Sequence, residues 1–228
     1  MRIAEIFYSL QGEGRLVGIP SVFIRTSGCN LRCVWCDTPY ASWRPEGEDW
    51  SLNKILAKVT TFPARHVVIT GGEPLLAKKI VELSNAIKQL GAHITIETAA
   101  TVFQPVFCDL MSLSPKLSHS TPWKRARGRF APLHERSRLN LEVIQKFLDR
   151  YDYQIKFVVN RQQDFAEIDE ILRQVRNWDP ARVLIMPQGK SRAELRQKTK
   201  WIVELCKQRG YGFTPRLHID LFGNRRGT

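Results

Sequence analysis

The sequence predicts an α/β chain folded as an open (β/α)6 partial TIM-like barrel with short N- and C-terminal extensions. Three observations predict it. Short β-branched runs alternate with helix-period apolar segments about six times between residues 21 and 210, the pattern of a parallel sheet with helical crossovers. Six units are too few for the closed eight-stranded barrel. The chain has 228 residues and is 43% hydrophobic, ample for one core and the size of one domain, with or without an insertion. Residues 1–228 are therefore read as a single domain, with residues 120–138 as a basic loop within it.

The elements follow in order. Ile3 to Ser9 alternates and reads as a short strand. Gln11 to Gly18 carries three glycines and reads as a loop, where glycine permits positive φ and close approach of backbone to a ligand. Ser21 to Thr26 is the first core strand. Residues 41–50 form a polar, Trp-containing excursion. Ser51 caps a helix with Leu52, Ile55, Leu56 and Val59 on one face. Val67 to Ile69 is a strand, and Pro74 stands at a first helical position. Ile80, Leu83, Ala86, Ile87 and Leu90 make a core-facing stripe that Gly91 ends. His93–Thr98 and Val106–Met111 read as strands, with His93 and Cys108 as packing residues. Asn140 opens a helix through Leu141, Ile144, Phe147 and Leu148. Gln154–Val159 is a strand, and Asp164 caps a helix through Ile168, Ile171, Leu172 and Val175. Val183–Met186 is the last core strand. Ser191 starts a helix that closes near Gly210, and Phe213 to Phe222 reads as extended. There is no repeat and no low-complexity run.

Composition excludes several classes. No run approaches the ~18 apolar residues of a membrane span. The first residues alternate and carry Arg2 and Glu5, which argues against a signal peptide. Five cysteines, three of them clustered, suit a reducing compartment, read as the cytoplasm, better than a disulfide framework. The net charge of +13 raises nucleic-acid binding. Much of the excess is local: Lys124, Arg125, Arg127, Arg129, Arg136 and Arg138 stand against Glu135 alone in 124–138. No zinc-finger or RNA-binding aromatic motif accompanies them, so solubility and attraction of small anions account for the charge.

Chemistry concentrates in Gly28-Cys29-Asn30-Leu31-Arg32-Cys33-Val34-Trp35-Cys36-Asp37-Thr38. Clustered thiolates are soft ligands suited to zinc or to iron–sulfur clusters. A structural zinc wants four protein ligands, and no further Cys or His sits at ligand spacing. Three thiolates on a four-iron cluster would leave one iron open. Cluster, zinc and plain packing all stand on spacing alone. Downstream, the buried run His66–Thr70 enters Gly71-Gly72-Glu73-Pro74. Arg25 is a charge in an apolar strand, and two readings apply: a surface ion pair at the strand end, or a bidentate partner for a ligand carboxylate.

Cys-x3-Cys-x2-Cys followed by a strand and Gly-Gly-Glu-Pro resembles the radical S-adenosylmethionine enzymes. With Leu10-Gln11-Gly12-Glu13-Gly14 upstream, the chain resembles the 7-carboxy-7-deazaguanine synthases among them. The likeness is strongest over residues 3–40 and 65–75 and looser towards the C-terminus. It implies an open (β/α)6 barrel with its ligands at the C-terminal ends of the strands. It implies conversion of 6-carboxy-5,6,7,8-tetrahydropterin to 7-carboxy-7-deazaguanine with loss of ammonia, in queuosine and other deazapurine biosynthesis. It places a [4Fe-4S] cluster on Cys29, Cys33 and Cys36, and Mg2+ on Thr38. S-adenosylmethionine falls to Trp35, Asp37, Gly72, Glu73, Ser114, Pro115 and Lys116, with Met186 and Gln188 near its adenine end. The pterin falls to Leu10, Gln11, Gly12, Arg25 and Thr70, with His218 and the terminal carboxylate of Thr228 as further contacts. Glu73 and Arg25 are the candidate catalytic residues. A flavodoxin- or ferredoxin-like electron donor and a homodimer are implied, and neither a membrane nor direct nucleic-acid contact is.

Two rivals remain. A glycyl-radical activating enzyme shares the cysteine spacing and Gly-Gly-Glu-Pro, but the Leu10–Gly14 loop and the lack of a cysteine-rich insert argue against it. A zinc-stabilised basic RNA-binding module is the non-enzyme alternative, and iron and sulfide analysis separates it.

Overall fold

A computed structural model describes residues 1–228. The strands are β1 (Arg2–Leu10), β2 (Pro20–Thr26), β3 (Glu48–Asp49), β4 (His66–Gly71), β5 (His93–Thr98), β6 (Leu110–Leu113), β7 (Tyr153–Val159), β8 (Val183–Pro187) and β9 (Gly212–Phe213). The helices are α1 (Leu52–Val59), α2 (Ile80–Gln89), α3 (Ala131–Ser137), α4 (Leu141–Arg150), α5 (Asp164–Arg173), α6 (Arg192–Arg209) and α7 (Leu217–Phe222).

All nine strands belong to one sheet in the order β3-β1-β2-β4-β5-β6-β7-β8-β9. From β2 to β8 the six core strands are parallel, and β9 extends them in the same sense. β1 and β3 run antiparallel at the other edge. This is the open six-unit barrel with terminal extensions. Parallel strands are covered on both faces and so read as continuous apolar runs: every residue of β7 and the first five of β4 are buried. Thirty-five buried side chains form one connected core between sheet and helices. No helix is long and apolar enough to cross a membrane.

Local signals act where the sequence places them. Ser51 accepts from Lys54 N–H to start α1, and Asn140 accepts from Val143 N–H to start α4. Ser191 and Glu194 form a reciprocal capping box on α6, which Gly210 ends at φ 69°.

Several expectations are corrected. The strand read over Val106–Met111 lies at Leu110–Leu113, because Val106 and Phe107 pack on the core from an extended connection. That β5–β6 connection contains no helix, so one crossover departs from strict alternation. Pro74 opens a single 3-10 turn, and α2 begins only at Ile80; its stripe ends at Ile87, since Leu90 is exposed. Phe213–Phe222 is extended only at its start: β9 ends at Phe213, and Leu217–Phe222 is helical. The basic segment also carries structure, since residues 131–137 form α3 and bury His134.

Candidate active site

The parallel strands deliver Arg25 on β2, Thr70 on β4, Thr98 on β5, Val158 on β7 and Met186 on β8 to one cavity of ≈ 430 Å³, at the C-terminal ends where barrel folds gather ligands. The cysteine loop covers it on one side and the Gln11–Glu13 turn on another.

Cys29, Cys33 and Cys36 all line this cavity, and all five cysteines are free. Burial pushes the Cys29 thiol up to about 11 and Cys33 up to about 12, with repulsion from neighbouring thiolates adding to both. Such thiols keep their protons until a metal displaces them. No three Cys, His, Asp or Glu side chains gather closely enough to hold a single metal ion. The loop is pinned from outside: Trp43 Nε1 donates to the Cys33 carbonyl (2.9 Å), Val34 N–H to the Ser120 carbonyl (2.8 Å), and Arg32 N–H to His134 Nδ1 (3.0 Å). The 41–50 excursion and α3 thus clamp the cysteines.

Gly71 and Gly72 serve the chain itself. A Cβ on Gly72 would lie 2.2 Å from the Gly28 carbonyl oxygen and 2.5 Å from that of Ala41. Gly71 (φ 156°) would meet the Thr26 backbone. Only glycine lets β4 end against the start of the cysteine loop, where Glu73 N–H donates to the Gly28 carbonyl (2.9 Å). Gly72 still lines the cavity; Glu73 does not. Its carboxylate is 1% exposed and accepts from Thr98 Oγ1 (2.7 Å), Ala99 N–H (2.8 Å) and Leu75 N–H (3.2 Å). Burial raises its pKa against these bonds. Geometrically it is a brace joining β4 to β5.

A charged network fills the opposite wall. Lys156, on buried β7, pairs with Glu13. Glu13 also accepts from Arg216 Nε (3.1 Å), and Arg216 pairs with Asp37 and donates to the Gly189 carbonyl (2.6 Å). Burial works against the charge on Glu13, but Lys156 and Arg216 outweigh it and hold the carboxyl far below its usual range. Asp37 is likewise lowered, by Arg216 against burial. Gln11 Nε2 donates to Glu97 Oε1 (3.2 Å) at the cavity wall. Gly12 packs so tightly on His218 that a Cβ would sit 2.0 Å from Nδ1; burial depresses the His218 pKa.

Arg25 forms an ion pair within the chain, though a largely buried one and not the surface pair at a strand end. Its Nε donates to Glu5 Oε1 (2.7 Å), while its two terminal nitrogens make no hydrogen bond within the chain; the residue lines the cavity. Tyr40 OH donates to the same Glu5 oxygen (2.7 Å). Residues 224–228 return to line the cavity as well.

The other predicted residues fall into place around these. Leu10, Trp35, Thr38, Ser114, Lys116, Gln188 and Thr228 line the cavity; Pro115 does not. Trp35 stacks on His119 at 5.7 Å and donates to it through Nε1. Lys116 Nζ folds back onto Ser114 Oγ (2.8 Å). Lys198 Nζ holds Gln188 Oε1 (3.0 Å). Sequence reasoning missed Glu97, Lys156, Arg216 and Tyr40 as site residues. Lys156 and Glu97 carried the same signal as Arg25, a charge inside a strand; Arg216 and Tyr40 carried none.

The family model of the radical S-adenosylmethionine superfamily matches residues 23–118. The chain is 48% identical to a 7-carboxy-7-deazaguanine synthase of Rhodopirellula baltica, over 99% of this chain and 88% of that one. It is 42% identical to the protein of that name from Halobacterium salinarum, over 97% and 90%. The crystal structure of QueE from Escherichia coli superposes with TM-score 0.70 at 27% identity, covering 95% of this chain and 94% of the other.

Proposed function

The chain belongs to the 7-carboxy-7-deazaguanine synthases of the radical S-adenosylmethionine superfamily, and we infer that it is a lyase converting 6-carboxy-5,6,7,8-tetrahydropterin to 7-carboxy-7-deazaguanine with loss of ammonia, in queuosine biosynthesis. One observation carries the reading: the cysteine loop, the Gln11–Gly12 turn and the Arg25 fork all face a single cavity. Residues 1–228 act as one domain, in keeping with a single sheet and one connected core.

The donor set fits a [4Fe-4S] cluster. Three free thiols line one cavity and no fourth cysteine does; three soft thiolate donors suit an iron–sulfur cluster, whereas a structural zinc usually takes four protein ligands. Cys29, Cys33 and Cys36 would hold it. S-adenosylmethionine would lie beside it against Gly72, Trp35, Asp37, Ser114 and Lys116, with Met186 and Gln188 further along. When bound, the pair supplies the radical chemistry that side chains lack.

The remaining steps belong to the chain. Glu5 holds Arg25 by Nε, leaving the fork to grip the substrate carboxylate. Gln11 and Glu97 offer acceptors to the N–H edge of the pterin, with Leu10, Gly12, Thr70, His218 and Thr228 closing around it. Lys156 and Arg216 neutralise Glu13 and Asp37, so the wall stays rigid and excludes water. Glu73 acts through Thr98 and Ala99 and sets the position of the β5 end. Thr38 offers a hydroxyl to Mg2+, which keeps most of its waters and takes few protein ligands. A flavodoxin- or ferredoxin-like donor would meet the cysteine loop beside the exposed basic residues Lys124, Arg127 and Arg129. A homodimer and a cytoplasmic setting complete the reading.

The test is anaerobic purification with iron and sulfide analysis, then turnover of the carboxytetrahydropterin followed by mass spectrometry, with and without chelation and return of magnesium. Deazaguanine product from iron-loaded protein, accelerated by magnesium, is expected. Iron-loaded protein that cleaves S-adenosylmethionine but leaves this pterin unchanged refutes the substrate.

A further inference from the structure

Residues 223–228 follow α7 with little to hold them. Residues 224 to 227 are exposed, and the segment is punctuated by two positive-φ glycines, Gly223 and Gly227. Chain ends of this kind fray unless tied down. Yet residues 224–228 all line the cavity.

What ties them is one side chain. Every hydrogen bond and ion pair from residues 224–228 to the body of the protein is made by Arg226. Its Nε donates to Glu5 Oε2 (3.3 Å), Nη1 to Glu46 Oε2 (2.8 Å) and Nη2 to the Ala4 carbonyl (3.0 Å). Its guanidinium lies 4.2 Å from the centre of the Tyr40 ring. The planar fork is what permits three separate acceptors at once.

Glu5 is the same carboxylate that fixes Arg25. Its side chain is 12% exposed. One oxygen takes Arg25 Nε and Tyr40 OH; the other takes Arg226. Two arginines, one on β2 and one in the segment after α7, thus share one largely buried carboxylate, and both residues line the cavity.

We propose that Arg226 is a positioning residue: it latches residues 224–228 over the substrate cavity through Glu5, the carboxylate that also aims Arg25. This rests on the reading that the cavity takes the carboxytetrahydropterin. The latch and the substrate grip are then one network. Losing Arg226 frees the cover and lets Glu5 pull Arg25 off its line, whereas losing the charge on Glu5 undoes both at once.

The test uses the anaerobic holoenzyme and two readouts. Limited trypsinolysis followed by mass spectrometry measures release of the residues after Arg225, a bond whose cleavage requires the tail to leave the surface. Steady-state kinetics separate KM from kcat. Arg226→Ala is expected to speed cleavage after Arg225 about tenfold and to raise the KM for the pterin about fivefold, with kcat changed less, in line with losing several part-exposed charged contacts. Arg226→Lys keeps the charge but not the fork and falls between. Glu5→Gln exceeds Arg226→Ala in KM. Cleavage in Arg226→Ala no faster than in the parent overturns the latch. Faster cleavage with an unchanged KM overturns its coupling to substrate. Should the parent protein fail to turn over this pterin, the substrate reading falls, and the cleavage rates still decide the latch.

Discussion

Replacing Arg216 by methionine removes the cation that joins Glu13 to Asp37 while roughly keeping its volume. Arg216 is 7% exposed and serves two carboxylates and a carbonyl. Breaking a buried ion pair from one side costs about 3–5 kcal/mol, because the remaining charge loses its compensation. Lys156 stays beside Glu13, and the Asp37 side chain is 37% exposed, so water recovers part of the loss. The lower end, about 3 kcal/mol, is therefore expected. At a urea slope of about 3 kcal/mol/M, the midpoint falls by about 1 M at pH 7. The deficit also depends on pH. Both carboxyls titrate below their ordinary values of 4.5 and 3.8 in the native chain, so their contribution is complete above those values and is lost as pH falls below them. In the variant Asp37 loses the main partner that lowers it, while Lys156 still lowers Glu13 in part. Urea unfolding of parent and variant at pH 7 and pH 2 should show a smaller gap at the lower pH, because the contribution is lost only as pH falls through the lowered native values. An equal gap at both pH values, or none at pH 7, refutes the ion-pair argument.

Three further outcomes follow from the geometry. Glu73→Gln places an amide N–H where Glu73 accepts from Ala99 N–H or, in the other orientation, from Leu75 N–H, leaving a buried donor facing a donor; a stability loss of about 2–3 kcal/mol is expected in thermal or urea unfolding, and wild-type stability would rule out the brace. Arg25→Lys keeps charge but loses the fork, so the KM for the pterin should rise at least tenfold, and an unchanged KM in a folded variant removes Arg25 from the substrate site. His66 and His134 are held neutral near pKa 4, chiefly by burial. A base with a lowered native pKa stabilises fully above its ordinary 6.5 and progressively less as pH drops towards 4, so each should cost about 2 kcal/mol of stability by pH 5. A urea midpoint that is flat from pH 7 to pH 5 contradicts this.

What the sequence disclosed depended on how local the cause was. Caps at Ser51, Asn140, Ser191 and Gly210 work through neighbours within a few residues, and they sit where the residue types place them. The β6 error has a physical origin: Val106–Met111 is as apolar as a strand, and what demotes Val106 and Phe107 is their anchoring by Tyr151 and Ser84, far along the chain. Leu217, Ile219 and Leu221 alternate like a strand, yet only Ile219 is buried and the segment coils. The candidate site was legible where a motif concentrated it, around the cysteines and Gln11-Gly12. Arg216 was invisible because its carboxylate partners stand 203 and 179 residues away. Glu73 was legible as a motif member, but the direction of its side chain was not, since that depends on donors β5 brings to it.

The sheet never closes on itself, and the seam between its first and last segments has a consequence for how the molecule comes into being. Leu217 N–H meets the Gly12 carbonyl (2.9 Å), Gly14 N–H meets Thr214 Oγ1 (2.7 Å), and His218 presses on Gly12. These contacts join points about 200 residues apart. During synthesis the cysteine loop emerges early and can settle against β4 and β5 once they are made. The Gln11–Glu13 turn has no wall to lean on until Thr214, Arg216 and His218 leave the ribosome. Closing so long a loop is entropically late. A nascent chain therefore presents three unguarded thiols on a half-built trough until residues 214–218 have been made and close the wall against Gly12 and Gly14.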